Sequence, residues 1–174
     1  LLERARLSSG WRHAPVTTPG QLDSAPVARE VPTPHGRRND DTRPCLLVAE
    51  SQSSGRGRHG RVWHSTPGLS LTFSLALPLN PPAWSGLSLA VGVVLADALD
   101  PPQGDQPPRI GLKWPNDLWL MEAPGRGRKL GGVLIETVAV GERRMAVIGI
   151  GLNVQPQPLL QELSSGFAYL QELW

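Results

Sequence analysis

Apolar positions are scattered without a period up to residue 43 and then fall abruptly into order. LLERAR, at the start, reads as the tail of a helix whose beginning is missing. Residues 9–43 collect Pro, Gly, Thr, Ser and charge, a pattern that predicts a long loop or disordered insertion. From Pro44 onward the pattern is that of strands: CLLVAE (45–50) is a short apolar run and LSLTFSLALP (69–78) alternates. After Pro81 and Pro82, apolar residues recur at helical spacing from Ala83 to Leu99, among them Leu87, Val91, Val94 and Leu95, which predicts a buried helix. PPQGDQPP is a linker of turn residues, and RIGLKW (109–114) is a third strand stopped by Pro115, which has no N–H to donate to a ladder. LGGVLIETVAV (130–140) and RMAVIGIGLNV (144–154) flank Gly141 and Glu142 as an antiparallel hairpin. The closing GFAYLQELW carries an unfinished helical pattern.

The order helix, strand, strand, helix, strand, hairpin predicts an α+β fold: a mixed, largely antiparallel sheet with helices packed on it, incomplete at both ends. The 174 residues amount to a single domain, which the unfinished patterns at Leu1 and Trp174 mark as truncated.

Composition narrows the class. Hydrophobic residues at 40%, together with 19 Gly, bring the apolar share close to the globular average of about 45–50%, so the chain can bury a core. A formal net charge of +2 does not imply bulk nucleic-acid binding. The single cysteine, Cys45, excludes an internal disulfide framework and, inside CLLVA, reads as a buried inert thiol rather than a nucleophile. No apolar run reaches the ~18 residues of a membrane span and no signal-peptide pattern opens the chain, so the expected location is the cytoplasm.

Candidate chemistry begins with GRGRHG (55–60). Its glycines match the G-x-G-x-x-G spacing of dinucleotide sites, but RVWHSTPG is no helix start and no carboxylate follows about 20 residues on, so the match is accidental. No lysine follows Gly60 either, which excludes a phosphate loop of the G-x-x-x-x-G-K type. What remains is a flexible loop of main-chain N–H groups with Arg56, Arg58 and Arg61 interleaved and Trp63 directly after. Such a loop can cradle an anion, with glycines permitting close backbone approach and guanidinium groups adding bidentate contacts. It can equally be a solvated basic loop with Trp63 in the core, and spacing alone leaves both readings open.

Of the 17 Lys and Arg, two are lysine: Lys113 and Lys129. In a chain that uses arginine nearly everywhere, a retained lysine suggests a need for a compact point charge. Lys113, in KWPND, stands at a strand end where sites commonly open, although most strand-end lysines are merely surface residues.

Taken together, ESQSSGRGRHGRVW, KWPNDL, KLGGVLIE and VIGIGLNV resemble the successive motifs of the biotin protein ligase catalytic domain, the biotin–[acetyl-CoA-carboxylase] ligase family, over most of residues 44–154. The resemblance implies an α+β fold related to lipoate ligases and an enzyme that joins biotin to ATP. It would release pyrophosphate, hold biotinyl-5′-AMP and pass biotin to one lysine of a biotin carboxyl carrier protein. Carried over by motif position, Gln52, Arg56, Gly57, Arg58 and Lys113 would meet biotin, and Gly55, Arg61, Trp63 and Asn153 the ATP or adenylate. Lys113 and Arg58 would be catalytic. Magnesium is expected with ATP; Asp117 is a candidate ligand, against the simpler reading of a turn-forming Asp.

The family's Ser-Thr-Asn wall motif would precede the LLERAR helix and so lie before residue 1. His59 replaces a frequent basic residue and reads as a solvated loop histidine. A homodimer is compatible with the resemblance; repressor activity is not expected. Two competing readings are a lipoate-type ligase of the same fold and a non-catalytic RNA-binding module using the Gly-Arg loop. The second is opposed by 5% aromatic content, which leaves aromatic interleaving sparse.

Overall fold

The computed structural model describes residues 42–81, 83–161 and 166–174. The expected N-terminal helix and most of the expected insertion therefore lie outside the described residues. The elements are β1 (Cys45–Ala49), β2 (Ser70–Pro78), α1 (Leu87–Leu99), β3 (Ile110–Lys113), β4 (Asp117–Ala123), β5 (Arg126–Val140), β6 (Arg143–Asn153) and α2 (Pro158–Gln161), with 3₁₀ turns at Arg58–Gly60 and Leu170–Leu173. The strands form one sheet in the order β1-β2-β6-β5-β4-β3, with antiparallel neighbours throughout. A parallel contact enters only as the isolated bridge between Lys129 and Phe167, among the described residues. No helix among those residues is long and apolar enough to cross a membrane.

Residues opposite one another in antiparallel register share a sheet face. On one face the rows Phe73–Ile150–Val133 and Leu75–Ile148–Ile135 meet Leu118, Leu120 and Leu152 to form the core. Val91, Leu95 and Leu99 of α1 close it. Gly92 lets α1 approach β3: a Cβ there would stand 2.9 Å from the Leu112 side chain.

The opposite face is different in kind. One row crosses five strands as Thr72–Gly151–Gly132–Asp117–Lys113, and its neighbour reads Ser74–Gly149–Leu134. Glycines at the centre of both rows leave a shallow floor.

The helix departs from expectation. It begins at Leu87 instead of Ala83, because Gly86 takes a left-handed conformation (φ 88°) that only glycine adopts readily and closes a turn with Trp84. Nor is it buried: Val93 and Val94 are 48% and 67% exposed, since the sheet covers one side of the helix only. β4 was not expected. It arises from DLWLMEA, whose Leu118 and Leu120 face the core while Asp117 and Trp119 face the floor, and the two-residue loop Pro124-Gly125 (Gly125 φ 72°) turns it into β5. The closing segment is not a helix up to Leu170. Ala168, Tyr169 and Leu170 are all buried in succession, which an extended chain wedged against the sheet can do and an amphipathic helix cannot.

Candidate active site

The glycine-arginine loop leaves β1 and folds back on itself. Trp63 donates its backbone N–H to Gly55 (2.9 Å), Gly57 to Arg61 (2.7 Å) and Arg61 to Arg58 (3.2 Å). Arg56 and Val62 form an antiparallel bridge. At the tip His59 (φ 57°) and Gly60 (φ 72°) are both left-handed, a conformation uncommon for a side chain such as histidine; His59 is exposed there. Gly55 is buried and cannot be anything larger, because a Cβ would stand 2.4 Å from the Trp63 carbonyl oxygen. Gln52 is tied to the loop base by its N–H to Ser65 Oγ (2.7 Å), with its own Oε1 beside Gly55.

Folding back places Trp63 on the floor: a Cβ on Gly151 would lie 2.4 Å from indole Cε2 and Cζ2. Arg58 reaches toward the KWPND turn, its Nη1 donating to Asn116 Oδ1 across a long 3.5 Å. Asn116 in turn is fixed to β5, donating Nδ2 to the Val133 carbonyl (2.9 Å) and accepting the Val133 N–H (2.9 Å). Ser88, in the first turn of α1, donates to the Pro115 carbonyl (2.9 Å) and steadies the same turn. Arg56 and Arg61 point into solvent.

The two lysines stand differently. Lys113 is exposed, with its ammonium 3.9 Å from the centre of the Trp119 ring, a cation–π contact of ~0.5–1 kcal/mol at an exposed site. Lys129 is half-buried and lies 2.9 Å from Asp117 Oδ1; their side chains are 28% and 23% exposed. Asp117 is thus the first residue of β4 and an ion-pair partner, neither a lone carboxylate nor a turn residue. A Cβ on Gly132 would sit 3.3 Å from Asp117 Oδ1 and 3.7 Å from Lys129 Nζ, which puts this pair at the floor's edge. The Lys129 carbonyl accepts from Asn153 Nδ2 (3.2 Å), and Asn153 is 1% exposed.

Several buried polar atoms around this floor lack a protein partner among the described residues: Trp63 Nε1, Thr72 Oγ1, Trp119 Nε1 and Asn153 Oδ1. A buried orphan of this kind ordinarily finds a partner, so a ligand or water with complementary polar groups fits the floor. Arg58, Lys113 and Lys129, with Arg56 and Arg61 exposed on the loop, outnumber Asp117 among the described residues around the floor, which makes the site cationic. A flat molecule with polar edges can lie on the floor beside Trp63, which itself packs on Gly151, and anionic groups can be held where Arg58 and Lys129 converge on Asn116 and Asp117.

Of the residues expected from sequence, the structure brings together Gln52, Gly55, Arg58, Trp63, Asp117 and Asn153. It leaves Arg56, Arg61 and Lys113 at the rim, and Gly57 inside the loop's own hydrogen bonds. Sequence reasoning passed over Lys129, Asn116, Thr72 and the floor glycines Gly132, Gly149 and Gly151. Lys129 carried a usable signal as the second of two lysines.

A third layer supports Lys129. Arg128 binds Glu122 (2.6 Å) and Glu172 (2.6 Å). The hydrogen bond to Glu172, with a further one to Glu122, raises the Arg128 pKa above its ordinary value, and the bond from Arg128 holds the Glu172 carboxyl below the usual carboxylate range.

The model of the biotin/lipoate A/B protein ligase family matches residues 37–153. The chain is 35% identical over 154 residues to biotin–[acetyl-CoA-carboxylase] ligase of Mycobacterium tuberculosis, covering 86% of this chain and 52% of the relative. It is 39% identical over 129 residues to the bifunctional ligase/repressor BirA of Escherichia coli, covering 72% and 38%. Among solved structures it resembles biotin acetyl coenzyme A carboxylase synthetase from Helicobacter pylori with bound biotinylated ATP (TM-score 0.51, 35% identity, 72% of this chain and 52% of that one). It also resembles the Leishmania major biotin protein ligase in complex with biotinyl-5-AMP (TM-score 0.52, 25% identity, 76% and 55%). The chain spans about half the length, or less, of the curated relatives it matches.

Proposed function

The chain belongs to the biotin/lipoate A/B protein ligase family, and from that premise we propose that it carries the reaction floor of an ATP-dependent biotin ligase. In this reading a biotin carboxylate oxygen attacks the α-phosphorus of ATP. The bond to the β-phosphate oxygen breaks, pyrophosphate leaves with the electron pair, and biotinyl-5′-AMP remains. The amine of a lysine on a biotin carboxyl carrier protein then attacks the acyl carbon, AMP departs, and the amine proton passes to solvent.

The observation that carries this reading is the cationic floor itself: the row Thr72–Gly151–Gly132–Asp117, with Trp63 packed on Gly151 and Arg58 and Lys129 both at the Asp117 end. A carboxylate and a phosphate must be brought together against mutual repulsion, which for two unit charges 4 Å apart is ~4 kcal/mol near a protein surface. Fixed cations offset that repulsion and stabilise charge on the leaving group. Arg58, with Gln52, Arg56 and Gly57, would meet biotin; Gly55, Arg61, Trp63 and Asn153 would meet the adenylate. In this reading we give the principal cationic role to Lys129 in preference to Lys113, because its half-buried ammonium, paired with Asp117 beside the floor, is less screened than an exposed one over a tryptophan ring. Lys113 then serves the rim, where phosphates enter.

Magnesium belongs to this reading as part of the nucleotide substrate. Among the described residues no three His, Cys, Asp or Glu side chains gather to hold a metal, and Asp117 is already neutralised by Lys129. The residues present do not build a resident magnesium site, whereas a triphosphate supplies the oxygens such an ion prefers.

The test supplies the full-length enzyme with ATP, a carrier domain and either biotin or lipoate. Pyrophosphate release and carrier labelling with biotin, and not with lipoate, are expected. Labelling by lipoate alone would move the protein to the lipoate branch of the family, and release with neither would overturn the proposal.

A further inference from the structure

Arg128 immediately precedes Lys129, yet its guanidinium serves a separate purpose. Nε donates to Glu122 (2.6 Å), Nη1 to the Phe167 carbonyl (2.8 Å) and to Glu172 (3.2 Å), and Nη2 to Glu172 (2.6 Å). Glu172 also accepts the Tyr169 N–H (2.9 Å). Arg109 reinforces the same segment from β3's side, donating to the carbonyls of Leu173 (2.8 Å) and Glu172. The segment 166–174 is therefore fastened by two arginines, and its middle is anchored in the core by Ala168 (0% exposed) and Leu170 (6%).

What the segment grips is the main chain of Lys129. The Lys129 N–H donates to the Gly166 carbonyl (3.3 Å), and the Lys129 carbonyl accepts the Ala168 N–H (2.9 Å). At this point the β4–β5 ladder slips register, from Leu118 opposite Gly131 to Trp119 opposite Lys129. Such a slip leaves the local chain without its full ladder and re-aims a side chain. The main chain at Lys129 is thus held by neighbours outside the ladder, while Asp117 holds its ammonium. Exposure argues against reading the network as a stability device: Arg128 and Glu172 side chains are 32% and 34% exposed, where an ion pair contributes little. A planar fork whose donors reach three separate groups is instead a means of fixing geometry.

We propose that Arg128 is a positioning residue: by locking segment 166–174 onto the slipped strand through Glu172 and the Phe167 carbonyl, it fixes the direction in which Lys129 holds its ammonium over the floor. The proposal rests on the reading of Lys129 as the cation that meets substrate.

The experiment is a double-mutant cycle in the full-length enzyme, read as single-turnover biotinyl-adenylate formation so that slow variants remain measurable. Lys129→Ala is expected to lower the rate ~100-fold or more. Arg128→Ala should lower it ~10- to 100-fold, as a displacement of about 1 Å in a reacting group can. Arg128→Lys keeps the charge without the fork and should recover only part of the loss. In the Lys129→Ala background, Arg128→Ala should change the rate by less than ~2-fold, since residues acting as one unit are not additive. An equal factor in both backgrounds, or an unchanged rate in a folded Arg128→Ala, overturns the positioning role. A wild-type rate in Lys129→Ala alone overturns the reading of Lys129 itself, a distinguishable result. If Arg128→Ala does not fold, Glu172→Gln, which keeps the size of the side chain, is run through the same cycle with the same criteria.

Discussion

Gly151→Ala tests the floor with a single methyl group. The added Cβ would lie 2.4 Å from Trp63 Cε2 and Cζ2 and 2.9 Å from Nε1. Ordinary carbon–carbon contact begins near 3.5 Å, so the indole must retreat by about 1 Å. Gly151 sits in the middle of β6 and is not among the glycines held at positive φ, so alanine meets no backbone obstacle there. The substitution even gains about 0.4–1 kcal/mol by restricting the unfolded chain. Overpacking costs about 1–3 kcal/mol, which leaves a net destabilisation of ~1–2 kcal/mol. Denaturant unfolding of Gly151→Ala, Trp63→Ala and the double variant measures it: the methyl should be harmful with Trp63 present and neutral or stabilising without it. Adenylate formation should fall with the displaced ring, by up to ~100-fold for a 1 Å error. If Gly151→Ala proves as stable and as active as the parent, Trp63 does not rest on the floor and its part in the proposed site is lost.

Lys129→Ala should reduce pyrophosphate release ~100-fold or more and Lys113→Ala less than ~10-fold, because the half-buried ammonium is the less screened of the two; the reverse order would return the principal role to Lys113. Glu172, held below the usual carboxylate range by Arg128, contributes a small stability, as a partly exposed pair does, that is present above about pH 4.3 and is lost as pH falls through its lowered value. Glu172→Gln should therefore be less stable than the parent at pH 7 and lose less on acidification, and parallel stability profiles from pH 7 to pH 2 would refute the assignment.

The alternation in VIGIGLN was visible in the sequence, but its meaning was not. Ile148, Ile150 and Leu152 face α1 while Gly149, Gly151 and Asn153 face the floor, so one strand writes two surfaces in alternate letters. Reading a strand from its apolar period finds the hairpin and misses the second surface, since glycine gives no hydropathy signal of its own. β4 was hidden for a related reason: Trp119 and Met121 face away from the core yet are apolar, so DLWLMEA lacks the alternation that marks a half-buried strand. The Pro124-Gly125 turn that ends it is legible in the sequence as a pair of turn residues. Arg58 and Asn116 lie 58 positions apart, and their meeting depends on the loop folding back to Gly55, a tertiary event that spacing does not encode. Rarity drew attention to Lys113, whereas what separates it from Lys129 is burial and the grip of segment 166–174, which only coordinates express.

The central glycines are not equivalent, and the difference separates folding from ligand binding. Gly131 is excluded from change by the fold, because a Cβ would stand 2.5 Å from the Gly151 carbonyl oxygen and 2.6 Å from Leu152. Gly149 is under no such pressure: its nearest neighbours would be the Leu134 carbonyl oxygen at 3.4 Å, Leu134 Cβ at 3.8 Å and Ser74 Oγ at 3.9 Å, all ordinary contacts. Glycine inside a strand sacrifices stability relative to a residue with a side chain, so a glycine retained without steric need leaves room for something other than the protein. Gly149→Ala should then be neutral or more stable by about 0.4–1 kcal/mol in thermal unfolding, while the methyl it adds to the floor raises the KM for biotin. Stability and KM moving in opposite senses would assign the space at Gly149 to the substrate; an unchanged KM in the stabilised variant would confine the binding floor to Gly132, Gly151 and their neighbours.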